Sequence, residues 1–232
     1  MLRSFQYDVQ WNIIYYPTKP SGFSVFIIGD HHHYVQKQDS YWLNHPSRFQ
    51  LLKQLRKSGY TCFSSNLYGE HWGNDKAVQF AKDLYHIVMK AETLNEKIHL
   101  FAEGKGALVA LKLLPLLQGC IRSVVLLNPC LSLKEKWALE KNHKIYFKPF
   151  LKEITKAFGD QAEQLEDIHI SINVPIKVIH VMGNDPKKQF LLYQDLRKRN
   201  SAETEIVYLL PEKRYKVTSE AVLFLKQYET VL

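Results

Sequence analysis

The chain has 232 residues, 46% of them hydrophobic and 23% charged. A chain of this size buries roughly 70–75% of its surface on folding, enough for one domain with a substantial core, and the composition argues against disorder. No apolar run approaches the ~20 residues of a membrane-spanning helix, and the start, MLRSFQYDVQWN, has no apolar signal core. The three cysteines, Cys62, Cys120 and Cys130, are an odd number without zinc-like spacing, so reduced thiols in a cytoplasmic protein are expected. The net charge of +8 favours an anionic partner without choosing one, and a solvating basic surface is the simplest reading.

From Phe5 the odd positions Phe5, Tyr7, Val9, Trp11, Ile13 and Tyr15 are apolar between mostly polar neighbours. This period of two predicts half-buried strand, and a leading strand pair of this kind would lie antiparallel at a sheet edge. After the turn KPSG, the run FSVFIIG is continuously apolar, as in a strand covered on both faces. Similar runs begin at Tyr60, Lys97, Arg122, Ile176 and Thr204. Helical patterns over residues 46–58, 75–92, 105–117, 186–200 and 217–229 separate them. Strands alternating with helices imply right-handed crossovers, hence an α/β fold with a mostly parallel sheet and helices on both faces.

Residues 131–173 break the alternation with helical pattern and no strand. Phe147, Phe150, Leu151, Ile154 and Phe158 form one apolar stripe, while Lys144, Lys148, Lys152 and Lys156 form a row at i, i+4 spacing. The row either offers an anion a landing face or is solvated, and the small, screened cost of such like-charge pairs favours solvation.

The segment HLFAEGKGALVALKLLP, residues 99–115, reads as strand, tight turn and helix. This is the context in which a G-x-S-x-G nucleophile elbow occurs. With that turn as its centre, the whole chain resembles the α/β-hydrolase superfamily. FIIGDHHH stands where the family has its oxyanion-hole loop, and SSNLYGEHWGN is similar to the loop after the next strand. RSVVLLNPC resembles the strand following the elbow helix. Residues 131–173 take the place of a cap, and NVPIKVIHVMGNDP is similar to the strand and loop carrying the acidic triad member. The resemblance implies one hydrolase-like domain over residues 1–232, with Asp185 at the acid position.

Two other triad positions depart from that pattern. The nucleophile position is Gly104, and no histidine follows His180, so a base after the last strand is missing. A serine hydrolase that loses either group loses several orders of magnitude in rate. The leading expectation is therefore a hydrolase-fold protein without serine-hydrolase activity, acting as a ligand-binding or regulatory module. Gly29, Asp30, His31, Glu103, Gly104, Lys105 and Cys130 would line its site, the free N–H groups after Gly104 offering an anion site with Lys105 in favour and Glu103 opposed. With no histidine to orient, Asp185 reads better as the N-cap of the helix starting at Pro186.

A second expectation is an active ester hydrolase or acyl-transfer enzyme with a relocated nucleophile, Ser64, Ser65 or Cys130, beside a loop histidine, His31, His33 or His71. A third is a binder of an acidic surface or nucleic acid, which has the net charge in its favour and no recognition motif. No cofactor is implied, and the histidine triplet lacks a convincing third metal ligand.

Overall fold

A computed structural model describes residues 1–30, 32–141, 144–159, 167, 170–183 and 187–229. Its eight-stranded sheet is built from β1 (Leu2–Tyr7), β2 (Gln10–Tyr15), β3 (Ser24–Ile28), β6 (Thr61–Ser65), β7 (Ile98–Glu103), β8 (Ile121–Leu127), β9 (Ile176–Val181) and β10 (Thr204–Leu209). A two-stranded ribbon, β4 (Val35–Gln36) and β5 (Asp39–Ser40), stands apart from it. The sheet order is β1-β2-β6-β3-β7-β8-β9-β10; pairing is antiparallel from β1 through β2 to β6 and parallel from there to β10.

The alternating N-terminal run is a hairpin, not one strand. Asp8 and Val9 take φ of 40° and 56°, the paired positive values of a tight two-residue turn, and Leu2 registers with Tyr15. The register pairs odd with even positions, so Phe5 packs on one side of the sheet and Trp11, Ile13 and Tyr15 on the other. The apolar period of two runs on through the turn only because the two strands turn opposite faces to the helical layers.

The central strands are apolar on both faces because helices cover both. Phe26, Leu100, Ala102, Val124 and Val178 pack beneath α3 (Asp75–Ala91), α4 (Gly106–Leu116) and α7 (Lys187–Arg199). Val25, Ile27, Phe101, Val125 and Ile179 pack against α2 (Pro46–Lys57) and α8 (Lys216–Gln227). The strand period of two delivers alternate residues to the two layers. Each fully buried Val, Ile or Phe contributes roughly 1.5–3 kcal/mol of transfer free energy. The short α1 (Tyr41–Asn44) precedes α2 and has no counterpart in the sequence pattern.

Between β8 and β9 lie α5 (Leu133–Lys141) and α6 (Lys144–Phe158). Phe150 and Ile154 from the α6 stripe are buried with Trp72, Leu108 and Leu133 in a separate apolar cluster. That cluster seats α6 on the start of α4. The opposite face of α6 is solvated: Lys148, Lys152 and Lys156 are exposed, and Lys156 meets Glu70 at 3.2 Å.

Candidate functional site

In a parallel sheet, loops and helix N-termini converge beyond the carboxyl ends of the strands, and the turn from β7 to α4 is at that edge. Gly104 forms its crest with φ +53°. The Gly104 N–H donates to the Leu127 carbonyl at 3.0 Å, and its own carbonyl accepts from Cys130 N–H at 2.9 Å. The turn is thus sewn to the end of β8. Gly106 begins the helix with no room to spare: a Cβ there would stand 2.5 Å from the Ile28 carbonyl oxygen and 2.6 Å from that of Gly29. Close approach of β3 to the elbow helix depends on that missing side chain.

The space above Gly104 is filled by Asp30. A Cβ on Gly104 would overlap the Asp30 carboxylate, whose Oδ1 accepts the Lys105 N–H at 2.9 Å. The backbone donor that follows the crest, a position where an oxyanion would be held, is therefore bonded to a carboxylate of the same chain. Asp30 is held there by its own loop. Its N–H donates to His33 Nδ1 at 3.0 Å, and the His33 ring stacks on Tyr41 with centroids 3.9 Å apart.

The flanking charges are also committed internally. Glu103 is buried and takes a two-pronged contact from Arg48, with Nε donating to Oε2 at 2.6 Å and Nη2 to Oε1. Burial pushes the Glu103 carboxyl above its ordinary range, and the Arg48 guanidinium opposes that shift. Lys105 reaches the other way. Its Nζ lies 2.9 Å from Glu153 Oε2 on α6 and 3.6 Å from the Trp72 ring centroid, while Trp72 Nε1 donates to the same Glu153 oxygen at 3.1 Å. Burial lowers the Lys105 ammonium below its usual pKa, and Glu153 works against that. Lys105 clasps α6 to the elbow through Glu153.

Beside the turn is a cavity of about 300 Å³, whose wall includes Asp30, Gly104, Cys130, Lys136, His180 and Tyr193. Burial raises the Cys130 thiol to about 11, so it is protonated at neutral pH and a poor nucleophile. His180, near the carboxyl end of β9, is buried with Nδ1 2.9 Å from Tyr193 Oη on α7. Sequence pattern had placed neither in the site. The available signal was a histidine near the carboxyl end of an otherwise apolar strand.

The relocated catalytic groups do not assemble among the described residues. Ser64 and Ser65 are buried in β6; Ser65 Oγ lies 3.4 Å from the Trp11 carbonyl and 3.3 Å from Leu67 N. His71 accepts the Gly73 N–H at 3.0 Å. No hydrogen bond joins Ser64, Ser65 or Cys130 to a histidine among these residues. His31 and Asp185 lie outside the described residues, so the acid position and one loop histidine have no structural account.

No protein-family model and no curated protein matches the sequence. Solved structures do. An acylaminoacyl peptidase from Pyrococcus horikoshii aligns at TM-score 0.69 and 13% identity, covering 98% of this chain and 40% of that one. The Francisella virulence factor BioJ aligns at TM-score 0.67 and 14% identity, over 98% of this chain and 84% of that one. Potato (Solanum tuberosum) epoxide hydrolase I gives TM-score 0.62 and 12% identity, over 98% and 100%. This chain spans less than half of the archaeal peptidase and most or all of the other two. The matched proteins share one architecture, and this chain has the α/β-hydrolase fold. Identities this low carry the fold and not the chemistry.

Proposed function

We propose that this α/β-hydrolase-fold protein does not hydrolyse esters through a seryl nucleophile and instead binds a small ligand in the cavity between the Gly104 turn and a cap formed by α5 and α6. The observation that carries this reading is the Asp30 carboxylate over Gly104. It fills the place of a nucleophile side chain and holds the Lys105 N–H that an oxyanion would need. An anion entering the turn would meet a carboxylate instead of a free donor. A ligand that brings a hydrogen-bond donor or a positive charge suits Asp30 better, because the described donor to its carboxylate is a single backbone N–H.

The test has two parts. A fluorophosphonate probe and short-chain p-nitrophenyl esters report on hydrolysis; stoichiometric labelling, or turnover abolished by one cavity substitution, would overturn the first half. A thermal-shift screen pairing small primary amines with carboxylates of the same skeleton reports on the ligand. Stabilisation by amines, lost in Asp30→Asn, is expected, and stabilisation by carboxylates alone would reverse the second half.

A further inference from the structure

Away from the elbow cavity, α2 and α8 enclose a groove of about 960 Å³ on the outer face of the helical layer. Its α8 wall is Tyr215, Thr218, Ser219, Val222, Leu223 and Lys226, an unbroken i, i+3, i+4, i+7, i+8, i+11 stripe. This is a second stripe on a helix that already buries Ala221, Phe224 and Leu225 against the sheet. The facing wall on α2 is Ser47, Gln50, Leu51 and Gln54, again at helical spacing. Leu51, Val217 and Val222 are its buried lining, and larger apolar side chains stand exposed beside them.

That edge is unusually exposed. Tyr215 is 70% accessible, Leu223 62% and Phe49 38%, and all three line the groove. Contiguous exposed apolar surface with a polar rim marks an interaction site.

The charges of the rim have one sign. Arg48, Arg214 and Lys226 line the groove, and among the described residues no aspartate or glutamate does. Arg48 is neutralised by Glu103. Arg214 and Lys226 make no ion pair among the described residues. Arg214 lies just before α8 and Lys226 in its last turn, so most of the helix, roughly 15 Å from Lys216 to Lys226 at 1.5 Å per residue, runs between them.

We propose that the α2–α8 groove docks an amphipathic helix with an acidic polar face, contributed by a partner protein. Two facing walls at helical spacing accept the apolar face of a third helix. The terminal cations then meet acidic residues at its two ends. A second copy of this chain fits less well, since it carries the same +8 charge and would bring the same cations to the groove. A flat lipid surface cannot follow a concave groove between two helices. This surface is separate from the elbow cavity, so the proposal stands or falls independently of the ligand reading.

The test uses the full chain and a fluorescent peptide of about 16 residues, with leucines at i, i+3, i+4 and i+7 spacing and glutamates on the other face. Its control carries lysine at every glutamate. Anisotropy is expected to show saturable binding of the acidic peptide that weakens at least about tenfold between low and high salt. Arg214→Glu with Lys226→Glu is expected to cost at least about tenfold in affinity, and Leu223→Asp a comparable loss. All three positions are at the surface, so an unchanged melting temperature separates loss of binding from loss of fold. Equal binding of the lysine peptide, undiminished binding to the charge-reversed protein, or no binding of either peptide would overturn the proposal. So would a dimer of the unmodified protein abolished by Leu223→Asp, or anionic-vesicle binding that depends on Arg214 and Lys226 while the peptide fails to bind.

Discussion

The two ends of β7 bury an ionisable side chain each and solve the problem differently. At the amino end His99 lies in the core with Nδ1 2.8 Å from Ser123 Oγ, and burial holds its pKa down at about 3, with Arg122 adding to the shift. At the carboxyl end Glu103 is paired with Arg48, beside an elbow whose remaining charges, Asp30 and Lys105, are tied to a backbone N–H and to Glu153. A buried group is tolerated either neutral or charged with its bonds satisfied. The amino end takes the first course and is structural. The carboxyl end keeps its charges, and each described one is spent on the chain itself. The difference explains how a site-bearing edge of the sheet can retain polar residues and still present a closed turn.

Four measurements put that contrast at risk. The largest effect belongs to His99. Its folded pKa lies below the unfolded value of 6.5, so the unfolded chain binds a proton first as pH falls. Stability is fully present above about 6.5 and is lost progressively down through about 3. One proton gives a slope approaching about 1.4 kcal/mol per pH unit, roughly 5 kcal/mol at most over that window. Urea titrations of His99→Leu should lack this component; an unchanged pH slope would mean that His99 titrates normally in the folded protein.

Next comes the fork. Arg48→Met leaves the Glu103 carboxylate buried without its partner and should cost about 3–5 kcal/mol at neutral pH. Adding Glu103→Gln should recover much of that loss. If the single variant unfolds at the same urea concentration as the parent, the fork is not what keeps Glu103 charged.

A smaller effect is expected at the crest. Gly104→Ala should cost about 1–3 kcal/mol, from positive φ and from overlap with Asp30. The double variant Asp30→Gly, Gly104→Ala removes the overlap, so the two costs should be non-additive. Strict additivity would mean that Asp30 moves aside freely. Gly104→Ser should likewise gain no esterase activity, because the crest is occupied and no histidine follows His180.

Smallest is the clasp. Lys105→Met should change global stability by only about 1 kcal/mol, as expected for a partly exposed pair. Hydrogen exchange in α6 should nevertheless quicken, since Glu153 loses its ion pair with the elbow lysine. Unchanged exchange there would mean that the Lys105–Glu153 pair does not hold α6 in place.

Much of the fold was legible in advance. Continuous apolar runs marked each central strand to within a residue or two, because strands covered on both faces have no polar side to show. The period of α6 was legible from Phe147 to Phe158, and Lys148, Lys152 and Lys156 proved to face solvent. The hairpin turn at Asp8 and Val9 was hidden, since the apolar positions change faces between β1 and β2 while the odd-numbered alternation runs on. The β4–β5 ribbon and α1 were also hidden, because elements this short carry no measurable period.

The site divides along the same line. The bare crest at Gly104, the strand–turn–helix around it and the missing late histidine follow from the order of residues along one stretch of chain. What fills the crest does not. Asp30 meets Lys105 across 75 positions, Arg48 meets Glu103 across 55, and Lys105 meets Glu153 across 48. Local periodicity records which face of an element is buried, whereas these pairings depend on which loops the sheet order brings together. The sequence by itself determined an elbow without a nucleophile; only the tertiary structure decided that a carboxylate from the β3 loop would occupy it.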